Sequence, residues 1–204
     1  MEMKPKLKGV YLVLDPAEGF DALENRLLHI LSGGIGAIQV WDHWHPDQDR
    51  HEFLNRLQAV CGQVPILINN NLELASLPGI QGVHFDREED LPSPECTFKK
   101  IIGLTVSAHA DWVALRKKGV DYISFCAMYP SSSVDTCELV SPDVVREACE
   151  HFDGSVFASG GISLENAGEI ASLGVSGVAL ISALWKAENP LDTTIKFNQI
   201  ISKP

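Results

Sequence analysis

The sequence predicts an α/β chain that closes as a single (β/α)8 TIM barrel over residues 1–204. Short apolar runs rich in β-branched residues alternate with helical patterns eight times. No composition break or long linker interrupts the series. Alternating units require a parallel sheet, because each crossover needs a helix to bring the chain back. Eight such units in 204 residues fit the small end of the closed barrel. The competing architecture is an open doubly wound sheet, whose usual GxGxxG fingerprint after the first strand is absent.

Residues 9–15 read as the first buried strand. Residues 21–32 place Leu23, Leu27, Leu28, Ile30 and Leu31 at helical spacing, stopped by Gly33 and Gly34. The second strand is 36–41 and its helix 48–61; the third is 65–70, with a short helix over 72–77. The fourth strand, 81–86, precedes a turn-rich segment through Pro92 and Pro94. The fifth is 100–106 with a helix over 110–118, and the sixth is 121–127. A longer loop follows from Pro130 to Thr136. Ser141-Pro142-Asp143 then carries the cap-and-proline signal of a helix running to Phe152. Residues 155–162 and 177–183 hold strands seven and eight, with a helix over 164–173 between them. Asn189-Pro190 begins the last helix, which carries Ile195, Phe197, Ile200 and Ile201.

A chain 45% hydrophobic and 21% charged has enough apolar content for a sizeable core. Its formal charge of −11 argues against nucleic-acid binding, which calls for a basic face. An acidic protein that holds a phosphate must use local donors. The five cysteines (Cys61, Cys96, Cys126, Cys137 and Cys149) form no CxxC pair and are odd in number, so reduced thiols in a cytoplasmic protein are expected. No apolar stretch of 18 residues and no signal-peptide pattern occurs, so a soluble chain without a membrane partner is expected.

The candidate site gathers at the strand ends. Ser159-Gly160-Gly161-Ile162 closes strand seven, and Ile181-Ser182-Ala183 closes strand eight. Missing Cβ atoms let backbone N–H groups approach an anion, and late strand ends are where such barrels commonly hold phosphate. The alternative is tight strand–helix turns with no ligand. On strand two, Gln39, Trp41 and His43 share a face by the two-residue period. They offer an aromatic platform for a flat heterocycle, or a packed loop with surface histidines. His43 and His45, with His84 or Asp42, form a weak zinc pattern. Asp90 in Glu88-Glu89-Asp90 is a candidate for Mg2+, against a solvated acidic turn. Cys126 is either a reactive thiol or inert packing. Ser131-Ser132-Ser133 reads as a lid or a plain polar loop.

Beyond these local patterns, Tyr11-Leu12-Val13, Ile38-Gln39-Val40, Ile68-Asn69-Asn70, Gly82-Val83-His84, Ile102-Gly103, Asp121-Tyr122, Tyr129-Pro130, Ser159-Gly160-Gly161-Ile162 and Ile181-Ser182-Ala183 follow one another in a specific order and spacing. In this the chain resembles, over nearly its whole length, the thiamine-phosphate synthase and thiazole tautomerase family. The resemblance implies binding of a small phosphorylated heterocycle, thiazole phosphate or thiamine phosphate, and homodimers are common in the family. The synthase joins a pyrimidine diphosphate to a thiazole phosphate with Mg2+, and cations must meet the charge building on the departing diphosphate. Within the family's Gln-x-Arg-x-Lys run, Gln39 keeps the Gln, Trp41 stands for the Arg and His43 for the Lys. Asn69 is kept, Asn70 replaces a metal-binding Asp, and Asp90 matches the second metal Asp. Thr105 stands for a Ser. Val134 takes the place of the loop Lys, and Ser131 and Ser133 that of neighbouring Thr residues. Trp and neutral His supply neither the bidentate fork of Arg nor the charge of Lys.

The resemblance therefore implies a diverged, tautomerase-like member, with an active synthase and a non-catalytic binding protein as alternatives. The tautomerase's catalytic His falls at Ala127, which leaves Gln39, His43 and Cys126 as candidate catalytic groups. Gly160, Gly161, Ile181 and Ser182 match the phosphate-cradling positions of the family.

Overall fold

In the computed structural model, which describes residues 4–93, 95–130 and 138–202, eight parallel strands close into a barrel in the order β1 to β8. The strands are β1 (Gly9–Leu14), β2 (Ala37–Val40), β3 (Ile66–Asn69), β4 (Gly82–Phe85), β5 (Ile101–Val106), β6 (Tyr122–Phe125), β7 (Ser155–Ser159) and β8 (Gly177–Leu180). Pairing of β1 with β8, including Tyr11 opposite Ala179, completes the ring. The open doubly wound alternative is thereby excluded.

Around the barrel lie α1 (Phe20–Ser32), α2 (Arg50–Cys61), α3 (Leu72–Ser76), α4 (Trp112–Lys117), α5 (Pro142–His151), α6 (Ala167–Ala171), α7 (Ser182–Trp185) and α8 (Pro190–Ile201). Their starts follow cap chemistry. Asp49, Asn71, Asp111, Ser141 and Asn189 each accept a main-chain N–H of the first turn. Each such cap is typically worth about 1 kcal/mol. Between α7 and the barrel, Trp185 Nε1 donates to the Val13 carbonyl at 2.8 Å. Asn198 Nδ2 donates to the carbonyls of Gly33 (3.0 Å) and Gly34 (2.6 Å), tying α8 to the turn before β2.

Alternation along the strands divides the core in two. Val10, Leu12 and Leu14 of β1 point outward to the helices, while Tyr11 and Val13 point into the barrel with Leu67, Tyr122, Phe157 and Ala179. Inside, the rings of Tyr11, Tyr122 and Phe157 meet edge to face at centroid distances of 5.2–5.9 Å. Such packing contributes beyond area alone, about 0.5–1.5 kcal/mol per pair. The barrel gives way to the Tyr122 ring at Gly103, where a Cβ would run into it. This aromatic plug forms the floor on which the C-terminal face is built.

Candidate functional site

At the C-terminal ends of the strands the barrel opens into a cavity of about 590 Å³. Gln39 of β2 with Trp41 just beyond it, His84 of β4 with Asp86 and Arg87 just beyond it, Thr105 from β5 and Ser124 from β6 form one side. Ser159 to Ile162 after β7 and Ala179 to Ala183 after β8 form the other. Except for β5, which ends at Val106 as expected, the strands end one to three residues earlier than the apolar runs suggest.

On the β7–β8 side, Gly160 and Gly161 have φ of +86° and +64°, a region other residues rarely adopt. The Gly160 carbonyl accepts from Tyr129 N–H (3.1 Å) and the Gly161 carbonyl from Asn166 Nδ2 (3.0 Å). Their own N–H groups, with those of Ser182 and Ala183, donate to no protein acceptor among the described residues. With the carbonyls turned away and the amides unused, the turn can receive an anion. The glycines also have a packing role. A Cβ on Gly160 would strike the Cys126 carbonyl, and one on Gly161 would lie 2.7 Å from the Pro130 carbonyl and Tyr129 Cβ.

On the opposite side, Trp41 faces the cavity, but its neighbour does not. His43 is half exposed, stacks on Trp41 at 3.9 Å between centroids, and sets Nδ1 3.3 Å from Asp15 Oδ2. The shared face of Gln39, Trp41 and His43 thus holds for the first two at the cavity wall. His84 is 3% exposed, with Nδ1 2.7 Å from Tyr122 Oη and Nε2 2.9 Å from Thr105 Oγ1. Both ring nitrogens are engaged, so His84 is not a zinc ligand. Burial lowers its pKa to about 4, against a smaller opposing pull from Asp86, and the ring is neutral at pH 7. Among the described residues no cluster of three His, Cys, Asp or Glu is set to hold a metal.

The residues matching the family's Mg2+ carboxylates do not fit the ion here. Asp90, in a 3-10 turn over Glu88–Asp90, accepts from Arg87 Nε (3.0 Å) and Nη2 (3.4 Å) on its two oxygens. Asn70 Oδ1 accepts the Asp86 main-chain N–H at 3.1 Å, and its Nδ2 donates to Asp86 Oδ2 at 2.7 Å. Asn69, 1% exposed, adds a bond from Nδ2 to the same oxygen at 3.2 Å. Asn70 reaches this position from φ +51°, a left-handed conformation that Asn tolerates. Two amides therefore clamp one oxygen of a carboxylate at the cavity wall.

The expectation of five reduced thiols needs correction. Cys126 is disulfide-bonded, while Cys61, Cys96 and Cys149 are free. A sulfur held in an S–S bond has no thiol to ionise, so Cys126 lines the cavity without serving as nucleophile or base. Ser131, Ser133 and Val134 lie outside the described residues. Asp86 and Arg87 are site residues that the sequence reading passed over; the two-residue period from His84 on β4 to Asp86 just beyond it was the available signal.

The profile of the family described as thiamine monophosphate synthase matches residues 10–184. The chain belongs to this family. It is 30% identical over 205 residues to a thiamine-phosphate synthase of Leptospira biflexa, covering 95% of this chain and 97% of that one. A thiamine-phosphate synthase of Thiobacillus denitrificans is 28% identical, with 95% of each chain covered. A solved structure of thiamine phosphate pyrophosphorylase from Pyrococcus furiosus superposes with a TM-score of 0.79 at 25% identity, covering 95% of each chain. Among the described residues no helix is long and apolar enough to cross a membrane.

Proposed function

We propose that this family member binds a thiazole-phosphate-type ligand in the cavity and moves protons on it, rather than coupling it to a diphosphate substrate. The phosphate rests on the unused amides of Gly160, Gly161 and Ser182, and the ring lies against Trp41. The observation that carries the reading is the Asp86 carboxylate on the cavity wall that Gln39 and Trp41 also line. The resemblance sets Trp41 and His43 at the Arg and Lys positions, whereas Asp86 faces the cavity with one oxygen clamped. A diphosphate leaving group would be repelled by that carboxylate. A carbon acid would be deprotonated by it, and the same oxygen returns the proton at the second carbon of the isomerised ligand. Gln39 orients the ligand. His43 lies off the cavity wall, and Cys126 has no thiol to offer.

A second reading, an active synthase, is favoured by Arg87, a cation on the cavity wall, and by the names of the relatives. Against it, Arg87 is already committed to Asp90 and Glu89.

One experiment separates these readings. The protein is given carboxythiazole phosphate in deuterated water and followed by NMR. In parallel it is given Mg2+, hydroxymethylpyrimidine diphosphate and thiazole phosphate and followed by mass spectrometry. Proton transfer predicts deuterium incorporation that falls about 10²-fold or more in Asp86→Asn, the usual size of a general acid–base contribution. Thiamine phosphate at useful turnover would overturn it in favour of the synthase. Tight binding with neither outcome would identify a non-catalytic binding protein.

A further inference from the structure

Beneath the cavity a single file of hydrogen bonds crosses the barrel interior. Tyr11 Oη lies 2.9 Å from Gln39 Oε1 and 2.7 Å from Tyr122 Oη. Tyr122 Oη lies 2.7 Å from His84 Nδ1, and His84 Nε2 lies 2.9 Å from Thr105 Oγ1. The three central groups are buried, at 1%, 1% and 3% exposure, while both ends, Gln39 and Thr105, line the cavity.

A hydroxyl has one proton to give and a neutral imidazole has one N–H, so the direction of one link fixes all the others. Tyr11 donates to Gln39 Oε1. Its proton is then used, and Tyr122 must donate to Tyr11. Tyr122 in turn must accept, and the donor is His84 Nδ1–H. The neutral ring has no second proton, so Nε2 accepts from the Thr105 hydroxyl. Low dielectric strengthens such a file and penalises any member left unpaired. The ends present opposite faces to the cavity, with amide N–H donors on Gln39 and lone pairs only on Thr105 Oγ1.

We propose that Tyr11, Tyr122 and His84 are positioning residues whose locked hydrogen-bond direction makes the cavity select a heteroaromatic ligand with an acceptor toward Gln39 and a donor toward Thr105. This rests on the reading of the cavity as the ligand site, but on no particular reaction there.

The first measurement needs no ligand. Nitrogen-15 NMR of histidine-labelled protein at pH 7 should show His84 as the Nδ1–H tautomer with an unprotonated Nε2. Gln39→Glu, whose carboxylate only accepts, should leave that tautomer unchanged. Tyr122→Phe keeps the ring packing and cuts the file, and should give a mixture of tautomers. An Nε2–H tautomer in the wild-type protein, or a switch of tautomer in Gln39→Glu, would overturn the assigned direction. The second measurement compares 2-aminothiazole, which has a ring acceptor beside an amino donor, with thiazol-2(3H)-one, in which the two are exchanged. Ligand-observed NMR should find the amino compound bound about tenfold more tightly, the worth of roughly one hydrogen bond. The ratio should approach one in Tyr122→Phe. Equal affinities, or a preference for the oxo compound, in the wild-type protein would overturn the selection. Neither measurement depends on turnover, so failure of the proton-transfer reading would leave both results standing.

Discussion

His84 should make folding stability depend on pH in a way that a single substitution can isolate. In the unfolded chain its imidazole titrates near 6.5, whereas burial in the native barrel depresses it to about 4. As pH falls below 6.5 the unfolded state takes up a proton that the native state refuses. The stability present above 6.5 is therefore lost progressively as pH falls toward 4. At about 1.4 kcal/mol per pH unit, the interval from 6.5 to 4 corresponds to about 3 kcal/mol. Burial of the whole ring, with both nitrogens bonded to protein, leaves little solvent to screen this. The assay is urea unfolding of wild type and His84→Gln at half-unit steps from pH 4 to 8, read as the difference between the two profiles. Carboxylates common to both proteins cancel, and a lower absolute stability of the variant does not matter. The expected result is a difference between the proteins that shrinks by about 3 kcal/mol between pH 6.5 and 4. Parallel profiles would refute the idea that the native ring is held neutral.

Trp41→Ala should weaken thiazole-phosphate binding by about 1–3 kcal/mol in calorimetry, in line with aromatic truncations in binding sites; unchanged affinity would return Trp41 to a packing role beside His43. Gly160→Ala should lower stability by about 1–3 kcal/mol, because φ is +86° and the added carbon meets the Cys126 carbonyl. An unchanged melting temperature would show that the turn relaxes freely. Asn70→Asp should cost about 1–3 kcal/mol by exchanging a hydrogen bond to Asp86 for repulsion. Recovery on adding Mg2+ is expected, and equal melting curves for variant and wild type would rule out the clamp.

The barrel was legible because its information is local. Each apolar run sits where a strand forms, and caps such as Ser141 and Asn189 mark helix starts in both sequence and structure. Errors fall where side chains compete with the backbone. A helix was expected over 164–173, but α6 spans Ala167–Ala171. Asn166 Oδ1 accepts from Ser163 N–H and its Nδ2 donates to the Gly161 carbonyl, which holds the preceding turn out of the helix. The helix expected over 110–118 begins instead at Trp112, after the cap at Asp111. Cysteine spacing gave no sign of the disulfide at Cys126, since pairing depends on which loops approach in space.

The site was only half legible, for a reason that joins residues 70 and 86. The family pattern makes Asn70 look like a loss, a metal carboxylate reduced to an amide. Sequence cannot show that β3 and β4 pair with Asn69 opposite His84, bringing the Asn70 amide to 2.7 Å from Asp86. Two carboxylates at that distance are stable only with a cation or a shared proton between them. An amide there makes a hydrogen bond instead and returns a second one to the Asp86 backbone. The neutral residue at 70 thus puts two hydrogen bonds to residue 86 where a second carboxylate would repel it. The two positions act as one unit, with the Asp86 carboxyl group placed on the wall of the cavity and fixed in orientation.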